Sequence, residues 1–316
     1  MEKTLSIARQ TKIQRYRPGD PQSAFADMSP AQILDTHGSP RTLLSSSLKA
    51  EKCLSVGVLT RILFLTSGVF CPHATAGCLA ACLGHSSGRM QMPTHALARD
   101  RRTALYIEAP ELFMEMLGVE IGLLKHDARR LGLRPAVRLN GSSDLPWETL
   151  CPDIFRRFPD VQFFDYTKNP ARMNGFLESP EWPANYYLTF SAQPGNRDES
   201  RRVLNRGGTV AVVFWPQIPS SFHGFAVVDG DEHDARFLDP AGTIVGLTAK
   251  GFARADLTGF TVRLCPYCGS SGPELELQPA SVEHPHTVVH RCRRCHFTTQ
   301  QRIPLPHAAA SLATAA

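Results

Sequence analysis

Short apolar runs recur through the middle of the chain, at residues 62–66, 136–140, 162–166, 186–191, 210–214, 225–229 and 243–247. Most are bounded by Gly, Pro, Asn or Asp. Such runs predict parallel strands covered on both faces. Between the first two lies a long stretch, 93–131, in which Leu112, Met116, Val119 and Leu123 recur at helical spacing. Residues 147–158 and 199–205 predict further crossover helices, the second closed by Gly207-Gly208. Ser29-Pro30 suits the start of a short helix over 31–36, because serine accepts an orphan N–H and proline fits the first turn. Strand–helix alternation predicts the α/β class, as a partial (β/α)6 TIM-like barrel with parallel strands. The expected layout is an extended N-terminal arm at 1–50, the α/β partial barrel at 51–262, a zinc ribbon at 263–304 and a disordered tail at 305–316.

Polar residues gather at the ends of these strands. Asn140-Gly141-Ser142-Ser143-Asp144 follows the second, Asp165-Tyr166-Thr167-Lys168 ends the third, and Ser191 and Gln193 end the fourth. Asp229-Gly230-Asp231 ends the sixth. In a barrel these ends share one rim, where sites are assembled from several strands. Asp144, Asp165, Lys168 and Asp231 are the candidate catalytic residues.

Three cysteines join that rim. Cys71, Cys78 and Cys82 form C-x6-C-x3-C just after the first strand. Three thiolates on one loop leave a fourth coordination position open, as in a four-iron cluster with one free iron. Two other readings stay open: small apolar cysteines in a packed loop, and a zinc site completed by His73 or His85.

Near the C-terminus, Cys265-x-x-Cys268 and Cys292-x-x-Cys295 make paired knuckles with 23 residues between them. Paired knuckles supply the four soft ligands of tetrahedral zinc. Arg291, Arg293, Arg294 and Arg302 make this region basic and able to meet phosphates.

Composition narrows the setting. The chain has 316 residues, 42% hydrophobic, with net charge +5. That allows a sizeable core and permits a nucleic-acid partner without demanding one. No run approaches the roughly 18 apolar residues of a membrane span. No secretory h-region is present, and the nine cysteines fall mostly into metal-type sets. A reducing, cytoplasmic location is expected.

The cysteine loop, the turn Arg138-Leu-Asn-Gly-Ser-Ser-Asp144, Phe164-Asp-Tyr-Thr-Lys168 and Val227-Val-Asp-Gly-Asp231-x-x-Asp234 resemble the family of the mycobacteriophage gene-88 product, over roughly residues 63–251. The resemblance implies a phage or mobile-element setting, in a host cytoplasm. The architecture also resembles the radical S-adenosylmethionine enzymes, in which a loop after the first strand of a partial barrel holds a 4Fe-4S cluster by three cysteines. That resemblance implies Cys71, Cys78 and Cys82 as cluster ligands. It implies Ser142, Ser143 and Asp144 near the methionine amino group, Ser191 near the ribose, and hydrogen abstraction by a 5′-deoxyadenosyl radical. Both cysteine gaps are longer than the usual CxxxCxxC, and Ala81 stands where an aromatic residue is often found.

The leading expectation is thus a radical S-adenosylmethionine-like enzyme with a 4Fe-4S cluster, S-adenosylmethionine and zinc, acting on a nucleotide or nucleic acid. One alternative is a nucleic-acid-binding protein with both cysteine sets holding structural zinc. Another is a metal-dependent nuclease built on Asp229, Asp231 and Asp234.

Overall fold

The computed structural model describes Asp20 and residues 22–278 and 287–302. The expected disordered tail at 305–316 and most of the first 20 residues of the expected arm lie outside the described residues. The described part has a mostly parallel sheet with helices in its crossovers, followed by a small three-stranded unit.

Ten strands share the large sheet: β1 (Leu44–Ser45), β2 (Val58–Leu63), β3 (Arg134–Arg138), β4 (Gln162–Thr167), β5 (Tyr186–Ser191), β6 (Thr209–Trp215), β7 (Ser221–Phe222), β8 (Phe225–Asp229), β9 (Ile244–Thr248) and β10 (Thr261–Arg263). Their order is β1-β2-β3-β4-β5-β6-β9-β8-β7, and β10 also pairs β6. All pairings from β2 to β8 are parallel, and only β1 and β7 run antiparallel to their neighbours. This sheet is larger than the six strands expected and carries antiparallel edges. Among the described residues no pairing joins its two ends.

From β2 to β6 the order never reverses, and each connection carries helix. Pro93–Glu108 and Pro110–Leu131 link β2 to β3, Pro170–Glu178 links β4 to β5, and Arg197–Asn205 links β5 to β6. The long helical stretch is broken at Ala109-Pro110, because proline clashes with a preceding helical turn and suits the start of a new one. On one face of the sheet Leu63, Val137, Phe163, Leu188, Phe190 and Val212 pack with Phe113, Leu117, Ile121 and Leu124 of helix Pro110–Leu131 into the main core. The other face has its own small core. There Val58, Ala136 and Phe164 meet Cys53 and Ala235, with Tyr187 and Phe237 against them.

Residues 231–239, which follow β8, cover that second face. Asp234 is ion-paired with Lys49 at 3.3 Å and with Arg138 of β3 at 3.1 Å. The Phe237 ring sits 5.4 Å from Phe164 and under the Arg134 guanidinium. Three basic groups hold the buried Asp234 carboxyl below its usual range despite burial pushing the other way.

The stretch expected as an extended arm is folded at Asp20 and from residue 22 onward. Helix Pro30–His37 opens with a full capping box between Ser29 and Gln32. Asp20 pairs with the buried Arg99 at 2.5 Å, and the Asp100 carboxylate accepts from Ser23 Oγ, Ala24 N and Thr66 Oγ1. These bonds fasten the segment to helix Pro93–Glu108. The carboxylate of Glu120 receives the N–H groups of Leu43 and Leu44, each at 2.7 Å, fixing β1 at the sheet edge.

After β10 the chain enters the small unit without a linker. Leu264 N donates to Trp215 O at 2.7 Å, and the next residue is Cys265. There β11 (Leu275–Gln278), β12 (Thr287–Cys292) and β13 (Thr298–Arg302) form an antiparallel sheet. The buried Arg263 contacts Gln301 at 3.0 Å and His290 at 3.3 Å, tying this unit to the large sheet. No helix among the described residues is long and apolar enough to cross a membrane.

Candidate metal centres

Parallel pairing puts the carboxyl ends of β2 to β6 on one edge, and the thiol loop lies across that edge. Thr75 caps the short helix Ala76–Ala80, its hydroxyl accepting from Cys78 N at 3.2 Å. Cys82 precedes a second short helix, Leu83–Ser86. Strand ends brace the loop from several sides. After β5, the Gln193 carboxamide donates to His73 O at 2.7 Å and accepts from Thr75 N at 3.2 Å. After β3, Cys71 Sγ lies 3.8 Å from Ser142 O, and Asp144 N donates to Phe70 O at 2.9 Å. Ala81 packs with Ala249 and Ala253, beside Val213 and Trp215 of β6. A Cβ added at Gly84 would collide with Ser67 Oγ and come within 3.3 Å of Cys82 Sγ.

Lys168 joins the thiols. It follows β4 and shares a face with Tyr166 by strand alternation. Its ammonium donates to Ser191 Oγ at 2.9 Å. Burial pushes the Lys168 ammonium down, but Cys78, Asp144, Cys71 and Cys82 together push it above its usual range. Burial pushes the Cys71 thiol up to about 12, with Cys82, Asp144 and Cys78 adding to the rise against a backbone N–H of Gly68. Cys82 is also raised by burial, opposed by Ser67, Gly84 and Lys168. One field thus contains three thiols, a carboxylate and one ammonium.

The remaining candidates of this rim serve different partners. Asp144 accepts from Lys168 N at 2.9 Å and from Arg172 Nη1 at 2.6 Å. The hydroxyl of Ser142 bonds Leu65 O, and that of Ser143 bonds Asn140 Oδ1 at 2.9 Å. Both brace the turn after β3. Asp165 points the other way, to the helix side of the sheet. It accepts from Asn140 N at 2.6 Å and from Tyr186 O–H at 2.7 Å, and burial raises its carboxyl to about 7. Asp231 pairs with Lys250 at 2.7 Å and accepts from Thr248 N at 3.0 Å. Asp229 Oδ1 accepts from Asp231 N at 2.8 Å. With Asp234 held by Lys49 and Arg138, these three carboxylates each serve separate partners.

Arg172 was not among the sequence candidates, yet it organises this corner. Its guanidinium forks onto Glu148 at 2.8 and 2.9 Å and also reaches Asp144 and Tyr186 Oη. The signal for it was Asn169-Pro170, a cap followed by proline at the start of helix Pro170–Glu178.

The four C-terminal cysteines come close together. Their Sγ atoms all lie within 4.8 Å of one another, the only such group found among the described residues. Cys265 and Cys295 are 3.5 Å apart, and Cys268 and Cys292 are 3.6 Å apart. Tetrahedral zinc with bonds of about 2.3 Å separates its sulfurs by about 3.8 Å. The four-cysteine set therefore suits a metal such as zinc. The antiparallel register brings Cys292 opposite Leu275, where Cys292 N donates to Phe297 O at 2.9 Å. Cys71, Cys78 and Cys82 do not form such a close set.

A family model described as gene product 88 matches residues 40–265. No curated protein and no solved structure matches the chain.

Proposed function

We propose that this chain, which belongs to the gene product 88 family over a span that takes in the thiol loop and stops at the first ribbon cysteine, is an iron–sulfur enzyme of the radical S-adenosylmethionine type. One observation carries the reading. Three thiols from a single loop lie within electrostatic reach of one ammonium, Lys168, which Ser191 Oγ holds at 2.9 Å beside the carboxyl ends of parallel strands.

The donor chemistry is compatible with an iron–sulfur cluster: Cys71, Cys78 and Cys82 are sulfur donors from one loop, and thiolates are the usual holders of such clusters. Cys71, Cys78 and Cys82 would hold a 4Fe-4S cluster, which would supply one-electron reduction of S-adenosylmethionine at the expense of an external reductant and, through it, hydrogen abstraction from substrate. The protein supplies binding, orientation and exclusion of water. Lys168, steadied by Ser191, stands ready for the carboxylate of the methionine part. Ser142 and Ser143 already donate within the protein, so their part is to shape the loop. We read the sheet as a partial barrel, because its strand order is unreversed from β2 to β6 and residues 231–239 reach back to Lys49 and Arg138. The C-terminal unit is a zinc ribbon in this reading. The substrate is a nucleotide or nucleic acid, as the basic ribbon and positive net charge favour. With nine free cysteines, the chain works in a reducing cytoplasm.

The test is metal content and visible absorption after anaerobic purification and reconstitution with iron and sulfide. About four irons, with a broad band near about 400 nm, are expected beside about one zinc. Zinc alone would replace this reading with a zinc-stabilised binding protein. A Cys71→Ala, Cys78→Ala, Cys82→Ala protein should keep its zinc and lose its iron.

A further inference from the structure

The ribbon exposes two aromatic rings at its metal end. Tyr267 is 76% exposed and Phe297 38% exposed. Their planes lie within 9° of parallel, with centroids 5.8 Å apart. Tyr267 sits inside the first knuckle, between Cys265 and Cys268. Phe297 stands two residues past Cys295, at the close of the second. The contacts between Cys265 and Cys295 and between Cys268 and Cys292 therefore hold the two rings beside each other. Neither ring joins an apolar cluster among the described residues.

Exposed cations lie close to Phe297 in sequence. Arg293 and Arg294 lie on the second knuckle and Arg291 just before it, all three at the surface. Arg293 faces Glu276 at 3.4 Å, a pair that water weakens. Arg291 and Arg294 form no ion pair among the described residues. An exposed aromatic face beside guanidinium groups is the arrangement on which unpaired bases stack while their phosphates meet positive charge. A duplex hides its base faces and cannot use the rings in this way.

We infer that the ribbon knuckles bind single-stranded nucleic acid. A base stacks on the Tyr267 and Phe297 pair, and the adjoining phosphates run over Arg293 and Arg294. The inference does not rest on a cluster in the thiol loop, since the platform belongs to the ribbon alone.

The experiment uses the full chain loaded with zinc. Fluorescence anisotropy is measured with a labelled oligothymidylate of about 15 nucleotides, and with a duplex of equal length, across a salt series. The single strand should bind and the duplex should bind more weakly. Tyr267→Ala and Phe297→Ala should each weaken binding by about 5- to 150-fold, the equivalent of one base stack removed, with the salt slope unchanged. Tyr267→Phe should bind as the parent does. Arg293→Gln with Arg294→Gln should flatten the salt slope by about 0.7 for each phosphate that no longer meets a guanidinium. Zinc content is measured for every variant. If Tyr267→Ala loses zinc, Tyr267→Leu keeps apolar bulk without a ring and decides the matter. Absence of binding, equal affinity for duplex, or parent-like affinity in both ring-removing variants would overturn the inference. Those outcomes would leave the exposed rings to a protein partner. They would not touch the iron content of the thiol loop, so the two readings fail separately.

Discussion

Lys168 and Ser191 meet at 2.9 Å, Nζ to Oγ, across the neighbouring parallel strands β4 and β5. The bond steadies a half-buried cation at the sheet edge that the thiol loop crosses. Lys168→Gln should leave iron incorporation intact, because no sulfur donor changes. Affinity for S-adenosylmethionine should fall by about 10- to 100-fold, the worth of a hydrogen bond to a charged group. Ser191→Ala should cost less than about 10-fold. Equilibrium dialysis on the reconstituted protein reads both, and parent-like affinity in Lys168→Gln would remove the lysine from the proposed cofactor site.

Arg172 holds two carboxylates that have almost no water. Removing it as Arg172→Met leaves Asp144 and Glu148 buried without their counter-charge, a loss of about 3–5 kcal/mol. Arg172→Lys should recover little of this, since one ammonium cannot make the fork onto Glu148 and also reach Asp144 and Tyr186. Urea midpoints at constant slope provide the measure. A midpoint unchanged in Arg172→Met would contradict the assignment.

Asp165 makes stability depend on pH in an unusual direction for an acid. Its carboxyl is raised from 3.8 to about 7 by burial, so the folded state holds a proton that the unfolded chain has already released. Between those values the folded state binds more protons, and stability falls as pH rises. Below about 4 both states are protonated and the penalty is absent. It reaches its full size above about pH 7, on the order of 4 kcal/mol. Asp165→Asn should flatten that part of the stability profile. A slope retained in the variant would place the titration elsewhere.

Two glycines give opposite expectations. Gly84→Ala puts a methyl group into Ser67 and within 2.9 Å of Ser142 Cβ, so the thiol loop must shift. The expected cost is about 1–3 kcal/mol, with reduced iron uptake on reconstitution. Gly122 lies within helix Pro110–Leu131 and has nothing within 4 Å of an added Cβ. Gly122→Ala should stabilise the protein by about 0.5–1 kcal/mol. Thermal melts of the two variants should move in opposite directions.

Chelation should separate the two sheets energetically. Structural zinc in a small unit contributes folding free energy outright, about 10–16 kcal/mol in zinc-finger peptides. Stripping metal from the four-cysteine set, or Cys292→Ser, should expose residues 265–302 to proteolysis while the large sheet melts as before. Simultaneous loss of both would show that the ribbon supports the sheet.

Much of the sheet could be read from local pattern. The runs 186–191 and 225–229 coincide with β5 and β8, where apolar residues and bounding turns mark the same ends. The first strand, expected at 62–66, forms at Val58–Leu63. Leu65, Thr66 and Ser67 are buried beyond the pairing, so burial extends the apolar pattern past the ladder. Helix Pro110–Leu131 is apolar on two sides. Leu112, Val119 and Leu123 lie on its exposed side, and Phe113, Leu117, Ile121 and Leu124 form the core stripe. Helical spacing alone cannot choose between two such stripes. Asp165 resembles a rim residue because it closes a strand, but alternation along β4 sends it to the helix side. The cover of residues 231–239 is invisible in the sequence because Asp234 meets partners far away along the chain, Arg138 lying 96 residues earlier and Lys49 farther still. The close four-cysteine set is legible, since its spacing is local and its chemistry demanding.

The step from β10 into the ribbon has a mechanical consequence. Arg263 ends the large sheet, Leu264 is bonded to Trp215, and Cys265 is already in the four-cysteine set. Gln301 is clamped between Arg263 and the carbonyl of Arg254. A module on a long tether samples a sphere, and its effective concentration at a second site is diluted by that search. Here the tether has no length. A ligand held by the four-cysteine unit would be presented to the large sheet from a short, hydrogen-bonded join, so reach would become a matter of ligand length rather than of chance.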